Sequence, residues 1–168
     1  MTQQSSKCSG SLISLDSTSQ FGQTAAGSPQ YQWLAQDLNA NSATCTIAYF
    51  HHPVFSVGPQ GSTTSMNAIW SLLAQHGVDL VLTGHDHSYQ RWAPLDGSGV
   101  ANPAGITQFV VGTAGHGIQN FVRSDSRLAV GFGTQPNAFG ALRLELNQDG
   151  AAYRFVNTLG ATLDSGTV

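Results

Sequence analysis

The sequence predicts an α/β fold: a parallel β-α-β-α-β unit followed by antiparallel strands. Three observations carry this. Short β-prone apolar runs at 11–17, 45–51 and 78–83 alternate with two stretches whose apolar residues recur at helical spacing. The second and third runs each stop at histidines, His51-His52-Pro53 and Gly84-His85-Asp86-His87. Residues 139–147 and 151–157 flank Asn147-Gln148-Asp149-Gly150, a hairpin turn signal.

Taken in order, residues 1–10 lack periodicity and are expected to form a poorly structured lead-in. Ser11-Leu12-Ile13-Ser14-Leu15-Asp16-Ser17 reads as the first strand, and 17–27, rich in Ser, Thr, Gln and Gly, as a loop. Ser28-Pro29 is a helix start, because serine caps free N–H groups and proline at the first position loses no bond. The helix that follows, 29–40, places Tyr31, Leu34 and Leu38 on one face with Trp33 beside them, all read as core. After the second strand, Pro53 stops the chain, and 55–64 is a Gly/Pro/Ser loop expected to be mobile and at the surface, bordering a site.

Ser65 is expected to cap a second helix in which Met66, Ile69, Trp70 and Leu73 form the apolar stripe and Gly77 closes the end. His76, in its last turn, reads as a cation complementing the helix dipole. Val78, Leu80, Val81 and Leu82 make a run that buries on both faces of a parallel sheet, and Gly84 lets the backbone turn. Beyond the loop 92–105 lie a strand at 107–112 and the turn Thr113-Ala114-Gly115-His116-Gly117, whose histidine reads as solvent-exposed. One domain is expected over 11–160, with 161–168 a tail.

At 168 residues the chain is long enough for one domain with a real core. Apolar residues make up 40%, and no stretch approaches the length of a membrane-crossing helix. Charged residues are only 9%, with Lys7 the one lysine beside five arginines, and the net charge of −3 offers no footprint for nucleic acid or an anionic membrane. Ser, Thr, Asn, Gln and Gly must keep such a surface soluble, which points to a secreted or extracytoplasmic protein. The polar first ten residues contain no signal peptide, so the chain is expected either to be cytosolic or not to start its own polypeptide. Cys8 and Cys45 are expected to pair in an oxidising compartment.

In open α/β sheets, ligands bind off the carboxyl ends of the strands. His51 and the His85/His87 pair fall there, at the ends of consecutive parallel strands, where neutral imidazoles can converge on a metal ion.

Ala48-Tyr49-Phe50-His51-His52-Pro53 and Gly84-His85-Asp86-His87-Ser88-Tyr89-Gln90-Arg91 resemble the last two metal-binding motifs of the calcineurin-like metallophosphoesterases, above all their purple acid phosphatase-like branch. The likeness extends over about residues 11–160. It implies a partial metallophosphoesterase sandwich and two metal ions, divalent or of Fe/Zn/Mn type, that hydrolyse phosphate esters by in-line attack. By position, His51 and His85 would bind one metal and His87 the other. Tyr89 and Arg91 would hold the loop, and His52 would face the substrate as a catalytic residue.

The family's D-x-[GH], G-D-x-x-Y and G-N-H-[DE] segments are not in the sequence, and Asp16, at a strand end, matches none of them. The chain is therefore expected to be the C-terminal half of such a domain, completed by a missing N-terminal half. Alone it is expected to hold at most one metal, weakly, and to show little activity. The alternative is a stand-alone module in which His51, His85 and His87 bind zinc without phosphatase activity.

Overall fold

The computed structural model describes residues 10–18, 23–40, 43, 45–135, 137–147 and 150–168. Cys8 lies outside the described residues, and the expected Cys8–Cys45 disulfide with it, as do the lead-in 1–9 and the two central residues of the hairpin turn, Gln148 and Asp149. Strands β1 (Gly10–Ser14), β2 (Cys45–Tyr49) and β3 (Leu80–Thr83) run parallel, connected through helices α1 (Pro29–Ala40) and α2 (Asn67–Gln75), as the sequence predicts. Strands β4 (Tyr89–Trp92), β5 (Thr107–Val111) and β6 (Leu128–Phe132) extend this sheet to the order β1-β2-β3-β5-β4-β6, β5 parallel to β3 and β4 antiparallel to both its neighbours. A second, antiparallel sheet holds β7 (Gly140–Asn147), β8 (Gly150–Asn157) and β9 (Thr162–Thr167).

Side chains alternate across the first sheet, as a period of two requires. Ile13, Ala48 and Val81 face the helices, packing with Leu34, Leu38, Ile69 and Leu73. Ile47, Leu80 and Phe109 face the other way, into a cluster with Tyr153 and Phe155 of β8. The tail 161–168 is thus largely a strand. Asp164 of β9 accepts hydrogen bonds from Arg91 Nε (2.8 Å), Arg91 Nη2 (3.2 Å) and Tyr89 Oη (2.7 Å). The last residues of the histidine motif therefore fasten β4 to the second sheet. Burial first, then the bond to Asp164, pushes the Tyr89 phenol far up, and the same carboxylate raises the Arg91 guanidinium.

Both helix starts depend on local chemistry. Ser28 Oγ accepts the Tyr31 N–H at 3.2 Å, a cap that contributes about 1 kcal/mol. Leu34 and Leu38 are buried, whereas Trp33, expected in the core, is 48% exposed because it falls off the stripe they define. Ser65 is not the cap of α2. It sits inside a 3-10 turn, Thr64–Met66, and Met66 takes the cap position without a side-chain bond. The extra turn satisfies early donors in the serine's place, with Met66 N–H on the Thr63 carbonyl and Asn67 N–H on the Thr64 carbonyl. At the other end, exposed His76 is the C-cap residue, Gly77 adopts φ 67°, and the bonds Val78 N–H to Leu73 O and Gly77 N–H to Ala74 O close a Schellman motif.

The loop expected to be mobile is not built as one. Val54, Ser56, Val57, Gly58 and Gly61 are buried. Gln108 Oε1 accepts the N–H groups of Val54 (2.9 Å) and Phe55 (3.2 Å), while its Nε2 donates to the Phe55 carbonyl (2.7 Å). Gln90 Oε1 takes the Val57 N–H at 3.1 Å. Side-chain amides from β5 and β4 thus stand in for a neighbouring strand, which a glycine-rich segment can accept because its backbone approaches closely.

Candidate metal centre

The carboxyl ends of β1, β2 and β3 build the site. Past the end of β2 the ladder continues: Phe50 N–H donates to Leu82 O (3.1 Å) and Gly84 N–H to His51 O (3.0 Å), so His51 leaves the sheet beside His85. Their ring nitrogens, His51 Nε2 and His85 Nδ1, lie 3.0 Å apart. That is within the reach of two ~2.1 Å bonds to one ion. The His52 ring stands 4.8 Å from the His51 ring and 4.4 Å from the His85 ring, centroid to centroid. One ligand atom from each of the three lies within 4.8 Å of the others.

His85 holds this place in a left-handed conformation, φ 63°, which costs a non-glycine residue about 1–2 kcal/mol. Tight bonds of Asp86 N–H to Gly84 O and Ser88 N–H to Asp86 O, each 2.8 Å, secure the turn. Asp86 itself is fully buried and faces the 53–63 loop: it accepts the Ser56 hydroxyl and the Gln60 N–H (2.9 Å). A side-chain carbon on Gly58 would stand 2.3 Å from this carboxylate, so only glycine fits there.

Ser17, just beyond β1, orients His52. Its Oγ accepts the His52 backbone N–H (3.0 Å) and pairs with the ring Nδ1 (2.9 Å), which leaves Nε2 for a metal or a substrate. Burial first, and then the neighbouring imidazoles, depress the pKa of both His52 and His85. The rings are thereby kept in the neutral form that binds metals. Asp16 is exposed and outside the cluster, its carboxyl lowered by the Thr18 hydroxyl and amide.

The structure therefore brings together three of the four histidines the sequence singles out, and His52 stands with His51 and His85 where His87 had been expected in the three-histidine arrangement. His87 lies instead against His116, ring centroids 4.1 Å apart and tilted by 45°. Its Nδ1 is buried and has no hydrogen-bond partner among the described residues. Sequence reasoning misses Ser17, although it closes the first strand at the same sheet edge. It also misses Asp86, for which no local signal exists.

The family model described as calcineurin-like phosphoesterase matches residues 5–89. Among curated proteins, tartrate-resistant acid phosphatase type 5 of Rattus norvegicus is 25% identical over 140 residues, covering 80% of this chain and 40% of that protein. Acid phosphatase A of Cryphonectria parasitica is 33% identical over 106 residues, 57% of this chain and 20% of the relative. Purple acid phosphatase 18 of Arabidopsis thaliana is 32% identical over 95 residues, 53% and 22% respectively. The chain thus spans 40% or less of the length of these relatives.

Among solved structures, purple acid phosphatase PPD1 from yellow lupin matches with a TM-score of 0.78 at 18% identity, over 93% of this chain and 30% of that one. The Plasmodium protein GAP50, described as the anchor in the inner membrane complex, matches at 0.71 and 17% identity, over 94% and 48%. Since the family model covers half of the residues, including both histidine motifs up to Tyr89, and the fold is that of a purple acid phosphatase, the chain belongs to the calcineurin-like phosphoesterase family.

Proposed function

We propose that this chain is the C-terminal part of a metal-dependent phosphoric ester hydrolase of the acid phosphatase kind. The observation that carries the reading is the convergence of imidazoles from the ends of β2 and β3, with His51 and His85 nitrogens 3.0 Å apart, at the strand edge where such sheets bind ligands. In this reading His51 and His85 hold one ion and His87 the other, and His52, steadied by Ser17, presents its ring to the substrate as a proton donor or hydrogen-bond donor. Metal ions of a divalent or Fe/Zn/Mn type, when bound, lower the pKa of a water and offset charge on the phosphate.

The histidines carry no negative charge, so bridging and anionic ligands fall to polypeptide outside these residues, the counterpart half of the domain. The isolated chain accordingly binds at most one ion weakly and turns over little. Its low-charge, Ser/Thr/Gly-rich composition supports a secreted or extracytoplasmic setting. A second reading, a metal-binding module without phosphatase activity, is favoured by one observation: His51, His52 and His85 form a compact trio with no carboxylate in it.

The test is calorimetric titration of the chain with zinc, then of the zinc-loaded chain with inorganic phosphate, beside p-nitrophenyl phosphate turnover. Zinc binding lost in His85→Ala, and phosphate binding that requires the zinc, is the expected outcome. Zinc binding with no phosphate binding favours the module. Robust turnover abolished by His85→Ala would show that the chain is a complete enzyme.

A further inference from the structure

Ser17 and His52 are brought together by segments that are themselves fixed. Past β1 the ladder continues, with the Leu15 N–H on the Tyr49 carbonyl (3.1 Å). Gln30 of α1 then holds the next residue as a neighbouring strand would: its Oε1 accepts the Asp16 N–H (2.7 Å) and its Nε2 donates to the Asp16 carbonyl (2.8 Å). Ser17 follows, 3% exposed, with its Oγ 3.0 Å from the His52 backbone nitrogen and 2.9 Å from the ring Nδ1. This hydroxyl has no other hydrogen-bond partner among the described residues. One hydrogen and one oxygen therefore have to serve two bonds, and only one sharing leaves nothing unsatisfied.

A backbone N–H can only donate, so Oγ is the acceptor toward the His52 amide and still has its own hydrogen to place. Were the ring hydrogen on Nδ1, Oγ would accept twice and the hydroxyl hydrogen would be buried without an acceptor, which costs free energy. With the hydroxyl donating to Nδ1, every group is satisfied, and the hydrogen of the neutral imidazole lies on Nε2. We propose that Ser17 is a positioning residue that locks His52 in the Nε2–H tautomer. The outer nitrogen is then a hydrogen donor toward an oxygen of the phosphate ester and has no lone pair to give a metal ion. The other two rings differ: His51 Nε2 and His85 Nδ1 face each other at 3.0 Å with one hydrogen between them. Moving that hydrogen to the donor ring's other nitrogen frees both lone pairs for one ion. The trio thus divides into two ligands and one donor. The contact of His52 with phosphate rests on the reading proposed above, whereas its tautomer follows from the hydrogen bonds alone.

The experiment is long-range proton–nitrogen correlation NMR of the imidazoles in the full, nitrogen-labelled chain, in chelator at about pH 8, where histidine is neutral. His52 should show a single tautomer, with the hydrogen on Nε2 and a lone pair on Nδ1. Ser17→Ala, shown to be folded by a thermal melt, should release the ring to a mixture in which either nitrogen carries the hydrogen. Ser17→Thr, which keeps a hydroxyl, should restore the single tautomer. Zinc added in place of chelator should shift His51 Nε2 and His85 Nδ1 while His52 Nε2 keeps its hydrogen. The proposal is overturned if the wild-type ring carries its hydrogen on Nδ1, or if the folded Ser17→Ala spectrum matches the wild type. It is equally overturned if zinc strips the hydrogen from His52 Nε2, which would make all three rings ligands, as in the metal-binding module. If zinc shifts none of the three rings, the metal site of the phosphatase reading fails, and the metal-free spectra still decide the tautomer.

Discussion

The loop 53–63 and the turn 113–117 both border the histidines and both are rich in glycine, yet they are held in opposite ways. In the first, backbone donors along its length are met by side chains from elsewhere: Val54 and Phe55 by Gln108, Val57 by Gln90, Gln60 by Asp86. In the second, hydrogen bonds hold the two ends, Thr113 to Gly140 and Gln119 to His87, and open space surrounds Gly115 and Gly117. Glycine content alone does not make a loop mobile. What decides is whether buried amides and carboxylates reach its backbone.

The contrast yields an ordered set of expectations. Asp86→Ala should have the largest effect, about 2–4 kcal/mol in urea denaturation, because it strands the Ser56 hydroxyl and the Gln60 N–H and leaves a buried void. A loss no larger than that of an average surface substitution would mean that the carboxylate is not the anchor. Gly58→Ala should come next, at about 1–3 kcal/mol, since the new carbon would overlap the Asp86 carboxylate.

Acidification should weaken the metal-free protein through His52 and His85. Their folded pKa values lie below the usual ~6.5, so the unfolded chain takes up protons first as pH falls. Stability is therefore fully present above about pH 6.5 and declines as pH drops through the window between unfolded and folded values. Thermal melts in chelator should show this slope, and the pair His52→Gln and His85→Gln should flatten it. A melting temperature indifferent to pH across that window would contradict it. Gly117→Ala, in the open turn, should change stability by no more than ~0.5 kcal/mol; a cost equal to that of Gly58→Ala would erase the distinction between the two loops.

Much of this architecture is legible from local pattern. The runs ending at Ser17, His51 and Thr83 become β1, β2 and β3 because alternation and β-branched content are local properties, and Ser28-Pro29 starts α1 because a cap acts within three residues. The importance of His51, His52, His85 and His87 follows from their place after strands. Other features rest on contacts far apart in the chain. Gln108 pins a loop 53 residues away, and Asp164 closes the Tyr89 and Arg91 motif from a strand that composition leaves as tail. Which histidines share a cluster was likewise a tertiary matter. The left-handed turn at His85 sets it with His51 and His52, while the Gln119 clamp gives His87 to His116. Side-chain hydrogen bonds between distant segments have no sequence period, so only the assembled fold decides them.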